Sequence, residues 1–593
     1  MGISMFDRYA DRDIFSPVLA GANELHERNG PDQATIPVLI VGGGPTGLLQ
    51  AYLLSRFGVK CVIIERYAER LGAPKAHALS PRTLEICRQH HLDVKRLRSL
   101  GTKRADAFWV NFVTNLSGKS VGRLPYERMD VGVLEHTPEM IHNIPQPEFE
   151  RILTQELSHE ANVDIRKGVS FVSLDQRDGN VLTTVEETAT GHTFQISSKY
   201  VIACDGANSK VRNALGIESD GEDSYETMMT IHFNADLRPI VGDRVGMLHW
   251  IMDPSAAGFI IAYDLSGNAV LIGNFDTDRY PVEIWNQDLC RKFVGDALGV
   301  EAPVEILSYR PWLLSRKVAK AYRSGNVFLA GDAAHSFPPT GGLGLNSGLG
   351  DVHNLAYKIA FVLRGEARDS LLDTYDAERR HVAIVNSVQS VKNGKKIFGL
   401  LKTLGMGDDL VQARQNLHAS LEDPNKKRQI DQGVEDQREH FDNLELHIGY
   451  VYGSKTIPPH ASKYEAKFVV GARLPHAWIK FNQDTMLRPV DTSYIEEFSP
   501  EERSLRRYSS LDLCDHVKFT IIGDFEVSGC KTYRHGIDFE ALGSPGNEWL
   551  HKSGLSAGGG LLLRPDQHIL MLIRPGDTVQ DIQSTLNGHL GVC

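Results

Sequence analysis

The 593-residue sequence predicts a doubly wound α/β fold with a β-rich insertion and a further domain in its C-terminal part. Three observations predict it. The apolar run Ile36–Val41 has strand length. It leads into Gly42-Gly43-Gly44-Pro45-Thr46-Gly47, an apolar-periodic helix to about Phe57 and a second apolar strand ending at Glu65. This is the opening β-turn-α-β unit of such a fold. Between about 223 and 310 the pattern changes to short, turn-separated β-rich segments. Near Asn326 the buried-strand pattern returns, in Val327-Phe328-Leu329-Ala330-Gly331-Asp332, and a long helix over 346–364 follows.

The remaining elements follow from the same signals. Residues 1–35 read as an extended arm, 36–222 and 311–400 as the dinucleotide-binding domain, and 223–310 as an inserted sheet. Residues 147–160 read as an amphipathic helix, and 370–395 and 408–421 as helices. Residues 401–464 read as a helical, charged linker, with 420–445 its most charged stretch, and 465–593 as a last domain of strands with at least one helix.

Composition narrows the function classes. Hydrophobic residues at 41% and charged residues at 23% are ordinary globular usage, which excludes collagen, disordered tails and disulfide scaffolds. With 64 basic against 75 acidic residues the net charge is -11, so no nucleic-acid partner is expected. No apolar run approaches the ~18 residues of a membrane span. The N-terminal residues carry early acids and no apolar core of a secretory signal, and Phe6 stands where a myristoylation motif needs Ser or Thr. Seven scattered cysteines without a CxxC pair predict a reduced, cytoplasmic chain with no metal site.

Three motifs carry chemistry. In the first, Gly42 permits a tight turn, Gly44 lets a pyrophosphate approach the helix N-terminus, and Gly47 allows close helix–strand packing. Glu65, 23 residues after Gly42, is placed to hydrogen-bond a ribose. The second motif, Cys204-Asp205-Gly206 to Arg212, reads by itself as a turn into a short helix. The third runs Gly331-Asp332 to Pro338-Pro339, then Gly341-Gly342-Leu343-Gly344-Leu345-Asn346. Asp332 at a strand end can accept from a sugar or ribityl hydroxyl. The glycines expose amides at a helix start, whose positive end suits an anionic ring atom.

In this order the motifs resemble the FAD-dependent aromatic hydroxylases of the p-hydroxybenzoate hydroxylase and phenol hydroxylase type. Asp351, Asn354, Lys358 and the run Tyr375–Arg380 extend the resemblance along 36–395. Gly471–Trp478, Ser510–Cys514 and Leu563–His568 are similar to the thioredoxin-like tail of the chlorophenol hydroxylases, the 2,4-dichlorophenol 6-monooxygenase type above all. Met571-Leu572 departs from that tail's usual aromatic–Arg pair, and the tail has no dithiol.

The resemblance implies a p-hydroxybenzoate hydroxylase fold with a thioredoxin-like C-terminal domain, and a homodimer. It implies FAD, NADPH or NADH as transient co-substrate, O2, and hydroxylation of a small phenolic ring through a flavin C4a-hydroperoxide. A second GxGxxG, which a separate NAD(P)H domain would need, is not found. The implied cofactor set is Gly42, Gly44, Pro45, Thr46, Gly47, Glu65, Arg66, Lys75, Arg82, Gln146, Asp205, Asp332, Gly342, Gly344, Leu345 and Asn346. For Lys75 and Arg82 a solvated surface role is an equal alternative.

A phenol of pKa ~10 needs a base or positive dipole to ionise at pH 7. His77 is the candidate base, with a plain structural or FAD-contact histidine as its alternative. Tyr225 is the candidate substrate tyrosine and Pro339 the residue flanking the ring. His249, Trp250 and Pro338 are candidate substrate contacts, with core packing the alternative for the two aromatics. A flavin halogenase or reductase, or a FAD-containing regulatory protein, are the competing functions. The halogenase signature WxWxIP is absent.

Overall fold

A computed structural model describes residues 35–69, 72, 74 and 76–592; the side chains of 222–225 are outside the described set. Residues 1–34, which make up nearly all of the expected arm, and Lys75 and Cys593 lie outside the described residues.

Five parallel strands form the centre of the first sheet, in the order Val327–Leu329, Thr193–Ala203, Ile36–Val41, Cys61–Glu65, Val163–Lys167. Ile36–Val41 is flanked on both sides, and Val38, Leu39 and Ile40 are fully buried. That double burial explains its uninterrupted apolar run. The helices Pro45–Arg56, Gln146–Leu157 and Leu343–Leu363 pack around this sheet. Pro45 stands at the first helical turn, where its missing N–H has no partner to lose.

The second sheet has eight strands and is larger than the expected 223–310. Its longest strands, Ser219–Asn234 and Glu305–Ala319, start earlier and end later. Trp109–Val113 pairs in parallel with Leu248–Ile251 and, with Ser120–Pro125, completes one edge. At the other edge His335–Ser336 pairs with Lys317 and Val318, so the third motif is itself part of this sheet. Both additions give an otherwise open edge a hydrogen-bonding neighbour.

Alternation along the strands separates the two faces. One face carries Ile231, Phe233 and Ile251 and is covered by the helix Gln287–Leu298 through Cys290, Val294 and Leu298. The other carries Leu248, Trp250 and Ile261 and is covered by helical segments from Ile397 to Ile448.

The charged stretch 420–445 is therefore a packed layer and not a linker. In the helix Pro424–Glu435, Ile430 and Val434 lie four residues apart and are buried, while Lys427 and Arg428 are exposed. Phe441 and Leu444 continue the buried side. The charge count masked this amphipathic spacing.

The C-terminal α/β region has a four-stranded sheet, in the order Lys531–Tyr533, Thr520–Ile522, Gly560–Leu563, Ile569–Ile573, with helices Gly543–Lys552 and Val579–Leu590. Ile522, Leu561 and Leu563 pack with Trp549 and Phe539. Phe519, Ile521, Leu562 and Ile573 instead join the core of the first sheet, where Phe519 meets Phe361 edge-on at 5.6 Å. The two regions share one core.

Candidate functional site

The first motif is a turn that admits no side chain. Gly42 has φ +109°, and a Cβ there would lie 2.3 Å from the Cys204 carbonyl oxygen. A Cβ on Gly47 would lie 2.0 Å from the Gly42 oxygen. Gly44 is the N-cap of Pro45–Arg56, with no side-chain cap and no acid in the first turn. Its amide end is thus open to an anion. Glu65 is buried and holds the turn, accepting from the Gly43 amide at 2.9 Å and the Tyr67 amide at 3.0 Å. Thr46 is wedged between chain segments: a Cβ on Gly331 or Gly348 would come within 2.7 Å of its hydroxyl. Arg66 is exposed, its guanidinium 4.7 Å from the Tyr67 ring centre.

The second and third motifs lock together. Asp205 accepts from Ser209 Oγ at 2.6 Å and the Val211 amide at 3.2 Å, and Arg212 donates to the Ala333 carbonyl at 2.8 Å. Burial raises the Asp205 carboxyl above its ordinary range. Asp332 is exposed at the end of the strand Val327–Leu329. Gly342, at φ +62°, caps Leu343–Leu363, whose N-terminus also lacks a side-chain cap and an acidic first turn. A Cβ on Gly344 would meet nothing within 4 Å, and Leu345 is half-buried against the first core. Asn346 accepts from the Ser80 amide (2.8 Å) and Thr83 Oγ1 (2.7 Å) and donates to Ala78 O (3.0 Å), fastening the helix start to 78–83. Gln146 donates its amide N–H to Ala76 O at 3.0 Å and its side chain to Glu150 at 2.7 Å.

Arg82 is not solvated, and its guanidinium is taken up by protein partners. It is buried, donating to Gln567 Oε1 at 2.5 Å and to Asp566 O at 2.8 Å in the C-terminal region, and it pairs with Glu85 at 3.1 Å. It lies on the first turn of the helix Pro81–Gln89, whose Gln89 also reaches that region at Pro565 O.

Beside the third motif, which meets Ala78 through Gly342 and Asn346, lies an aromatic cluster. Half-buried His77 has Nε2 3.1 Å from the Tyr126 hydroxyl, and its ring meets Tyr263 edge-on at 6.1 Å. Burial pushes the His77 imidazole down to about 4, so it is neutral at pH 7. Trp250 stacks on Phe259 at 4.9 Å on the same sheet face as Tyr263. The Tyr263 hydroxyl and Trp250 Nε1 are buried without a partner among the described residues. Pro338 is buried and Pro339 exposed, and Pro339 O accepts from the Gly342 amide at 3.0 Å.

His249 does not share this cluster. It is fully buried, next in the strand to Trp250 and so on the opposite face, with Nε2 3.1 Å from Gly246 O. The Tyr225 side chain is outside the described residues; its strand shifts register between Glu222 and Glu226. The sequence reading did not single out Tyr126 and Tyr263. The alternation Phe259, Ile261, Tyr263 was the available signal for the latter.

A family profile described as an FAD binding domain matches residues 35–388, more than half of the chain. The chain belongs to the class A flavoprotein monooxygenases. FAD is its cofactor, and two open helix N-termini, a side-chain-free glycine turn and an exposed strand-end Asp332 fit one. The monooxygenase is 29% identical over 572 residues to 2,4-dichlorophenol 6-monooxygenase of Delftia acidovorans, covering 90% of this chain and 94% of the relative. It is 34% identical over 366 residues to tetracenomycin B2 monooxygenase-dioxygenase of Streptomyces olivaceus, covering 59% and 67%. A second tetracenomycin relative, from Streptomyces glaucescens, is matched over 65% of its length. The solved flavin-dependent monooxygenase PieE, in complex with FAD and substrate, matches with a TM-score of 0.83 at 25% identity, over 95% of this chain and 100% of that one.

Two buried ion networks brace the monooxygenase site. His335 Nε2 lies 2.7 Å from Asp351, which also takes Arg379 Nε at 2.9 Å and the Gly331 amide at 3.1 Å. His335 is thereby walled off and serves the loop's shape. Further along the same helix, Lys358 and Arg564 both bind Glu378, at 2.7 Å and 2.6 Å, and Asn354 joins it to Asp566. The two cations hold the Glu378 carboxyl far below its usual range, while burial pushes the Lys358 amine down to about 8.

Proposed function

We propose that the protein hydroxylates a phenolic aromatic ring at the expense of NAD(P)H and O2. One observation carries the reading: an aromatic cluster in which the neutral His77–Tyr126 pair meets Tyr263, whose hydroxyl has no partner among the described residues, with the neighbouring Ala78 fastened to Asn346 of the third motif. A phenol seated among these rings would place its oxygen at those groups. The full-length relatives named for 2,4-dichlorophenol and phenol support the same substrate class.

FAD, once bound and reduced, supplies the oxygen chemistry. The protein's residues do the rest. The amide end of Leu343–Leu363 and the turn at Gly342–Gly344 seat the ring system, with Pro338 and Pro339 stiffening the approach. Trp250, Phe259 and Met228 surround these groups with apolar surface and exclude water. His77 accepts a hydrogen bond; as an imidazolium so enclosed it would be costly, so it orients the phenol more readily than it removes the proton. Tyr225 supplies a further hydroxyl for the phenol. NADPH or NADH acts transiently, and a homodimer in the cytoplasm remains the reading for assembly and location. The C-terminal region, read as thioredoxin-like, acts in packing: burial raises both the Cys514 and Cys530 thiols.

The test is a panel of phenols, chlorophenols and polycyclic phenols scored for stimulated NAD(P)H oxidation and for hydroxylated product. At least one phenol is expected to raise the rate more than 10-fold with product formed. No stimulation by any of them, or peroxide without product, overturns the reading.

A further inference from the structure

The turn that leads from Pro339 into the helix Leu343–Leu363 is gripped by buried side-chain amides. The Gly342 N–H donates to Pro339 O at 3.0 Å and closes a four-residue turn. Gly341 stands third in it at φ +105°, while Thr340, second, is not among the residues of positive φ. That is the type II arrangement, which differs from type I in the direction of its central peptide, here Thr340–Gly341. From the helix Ser370–Thr403, Asn393 donates to Thr340 O at 3.4 Å and accepts from Gln389 Nε2 at 2.7 Å. Thr340 Oγ1 donates to Ser390 O on the same helix at 2.7 Å. Asn443 donates to the next carbonyl, Gly341 O, at 3.3 Å. Asn393 and Asn443 are fully buried.

The N–H of the central peptide is treated differently. Gly341 is buried, yet its N–H has no hydrogen-bond partner among the described residues. Buried backbone N–H groups are nearly always paired, so an orphan here points to a bound group. In a trans peptide the N–H points opposite to the C=O. With Thr340 O turned to Asn393, the Gly341 N–H is turned away from the helix Ser370–Thr403. The turn also borders the first domain, where a Cβ on Gly342 would lie 3.8 Å from Ala78 Cβ.

We propose that Asn393 is a positioning residue: by holding Thr340 O it fixes the type II turn and presents the Gly341 N–H as a donor to the flavin ring. The inference rests on the reading above that seats the ring system at this turn. Reduction makes the ring more electron-rich, so a fixed donor stabilises the reduced form more than the oxidised one. A side chain at position 341 is excluded twice, by the positive φ and by a Cβ that would lie 3.0 Å from Asn393 Nδ2.

The experiment is a reductive titration of the FAD-loaded wild type, Gly341→Ala, Asn393→Leu and the double variant, without phenol. Gly341→Ala disfavours the positive φ and drives the central peptide to the type I direction, with its carbonyl where the N–H was. The reduction equilibrium is expected to shift by about 10-fold against the reduced form, about 30 mV for a two-electron couple. Asn393→Leu removes the donor that holds Thr340 O, and its potential is expected to fall in the same direction. Because both act through one peptide, the double variant is expected to fall no further than Gly341→Ala alone. A residue that served only stability would lower the melting temperature and leave the potential in place.

A crystal structure of the FAD-loaded wild type is the second measurement. The Gly341 nitrogen is expected at about 3 Å from an oxygen or nitrogen of the flavin ring. A separation beyond ~4 Å overturns the proposal, as does a wild-type potential in either FAD-loaded single variant. Failure of every phenol to stimulate NAD(P)H oxidation is a different result. It sinks the hydroxylation reading, while the potentials and the Gly341 distance still report on Asn393.

Discussion

Gly44 stands where the chain meets the cofactor's pyrophosphate. Gly44→Asp would put a carboxylate at the open amide end of Pro45–Arg56, against a bound anion. The expected product is folded, colourless protein, read from the flavin absorbance of the purified variant; a normally yellow variant would contradict it. This part of the site was legible in the sequence because every constraint on it is local: the turn, the helix start and Glu65 lie within 24 residues. The aromatic cluster was not. His77, Tyr126 and Tyr263 come from three separate segments, and nothing in the residues around Tyr126 announces a partner 49 positions earlier. Tyr225→Phe and Tyr263→Phe test which hydroxyl meets the phenol. Loss of a hydrogen bond made in the transition state costs about 10²-fold in hydroxylation rate, with flavin reduction much less affected. An unchanged kcat for both would remove tyrosine from the proposed mechanism.

At the scale of elements, the helix Pro81–Gln89 works as a brace. Ser80 caps it by accepting from the Thr83 amide, and Pro81 suits its first turn. Along its length Arg82 reaches Asp566 O, Arg88 pairs with Asp512 at 2.8 Å, and Gln89 donates to Pro565 O at 2.8 Å. The burial of Arg82 was not legible in the sequence for a simple reason: Gln567 and Asp566, which hold it, lie more than 480 residues away. The layer 420–445 was misread for the opposite reason, since its exposed charges outnumber the few apolar residues that set its fold. The helices Leu343–Leu363 and Ser370–Thr403 meet the same C-terminal region through Lys358, Glu378 and Arg564. Glu378→Ala would leave two buried cations without their shared carboxylate, at a cost of roughly 3–5 kcal/mol. Thermal unfolding of the FAD-loaded protein measures it, and a melting temperature unchanged within a degree would show that the network is dispensable.

Across the whole molecule, a line of histidines follows the boundary between the first domain and the C-terminal region. His90 lies 5.6 Å from His353 and 5.1 Å from His516, and His91 lies 5.2 Å from His516. Burial lowers all four, and the nearby cations Arg56, Arg82, Arg88 and Arg488 act in the same direction against Asp515 and Asp566. A histidine held below its unfolded value stabilises the fold in its neutral form. That contribution is full above an unfolded pKa of ~6.5 and is lost as pH falls toward the lower folded values. Melting between pH 7.5 and 5 is therefore expected to show falling stability, with a smaller fall in His516→Phe; equal slopes would clear the cluster of this role. The triple substitution Cys514→Ser, Cys530→Ser, Cys593→Ser is expected to retain NAD(P)H-dependent turnover, because no thiol chemistry enters the reaction. A folded, FAD-loaded triple variant without activity would reverse that.

The shared core has a consequence for anyone recombining such proteins. Phe519, Ile521, Leu562 and Ile573 fill space that belongs equally to the first sheet and its helices. A chimera that grafts another relative's C-terminal region onto residues 35–388 would have to carry matching versions of Pro81–Gln89 and of the helix face around Lys358 and Phe361. Exchangeable parts in this chain are thus not the stretches between apparent boundaries. They are sets of residues that touch across the seam, and they travel together or not at all.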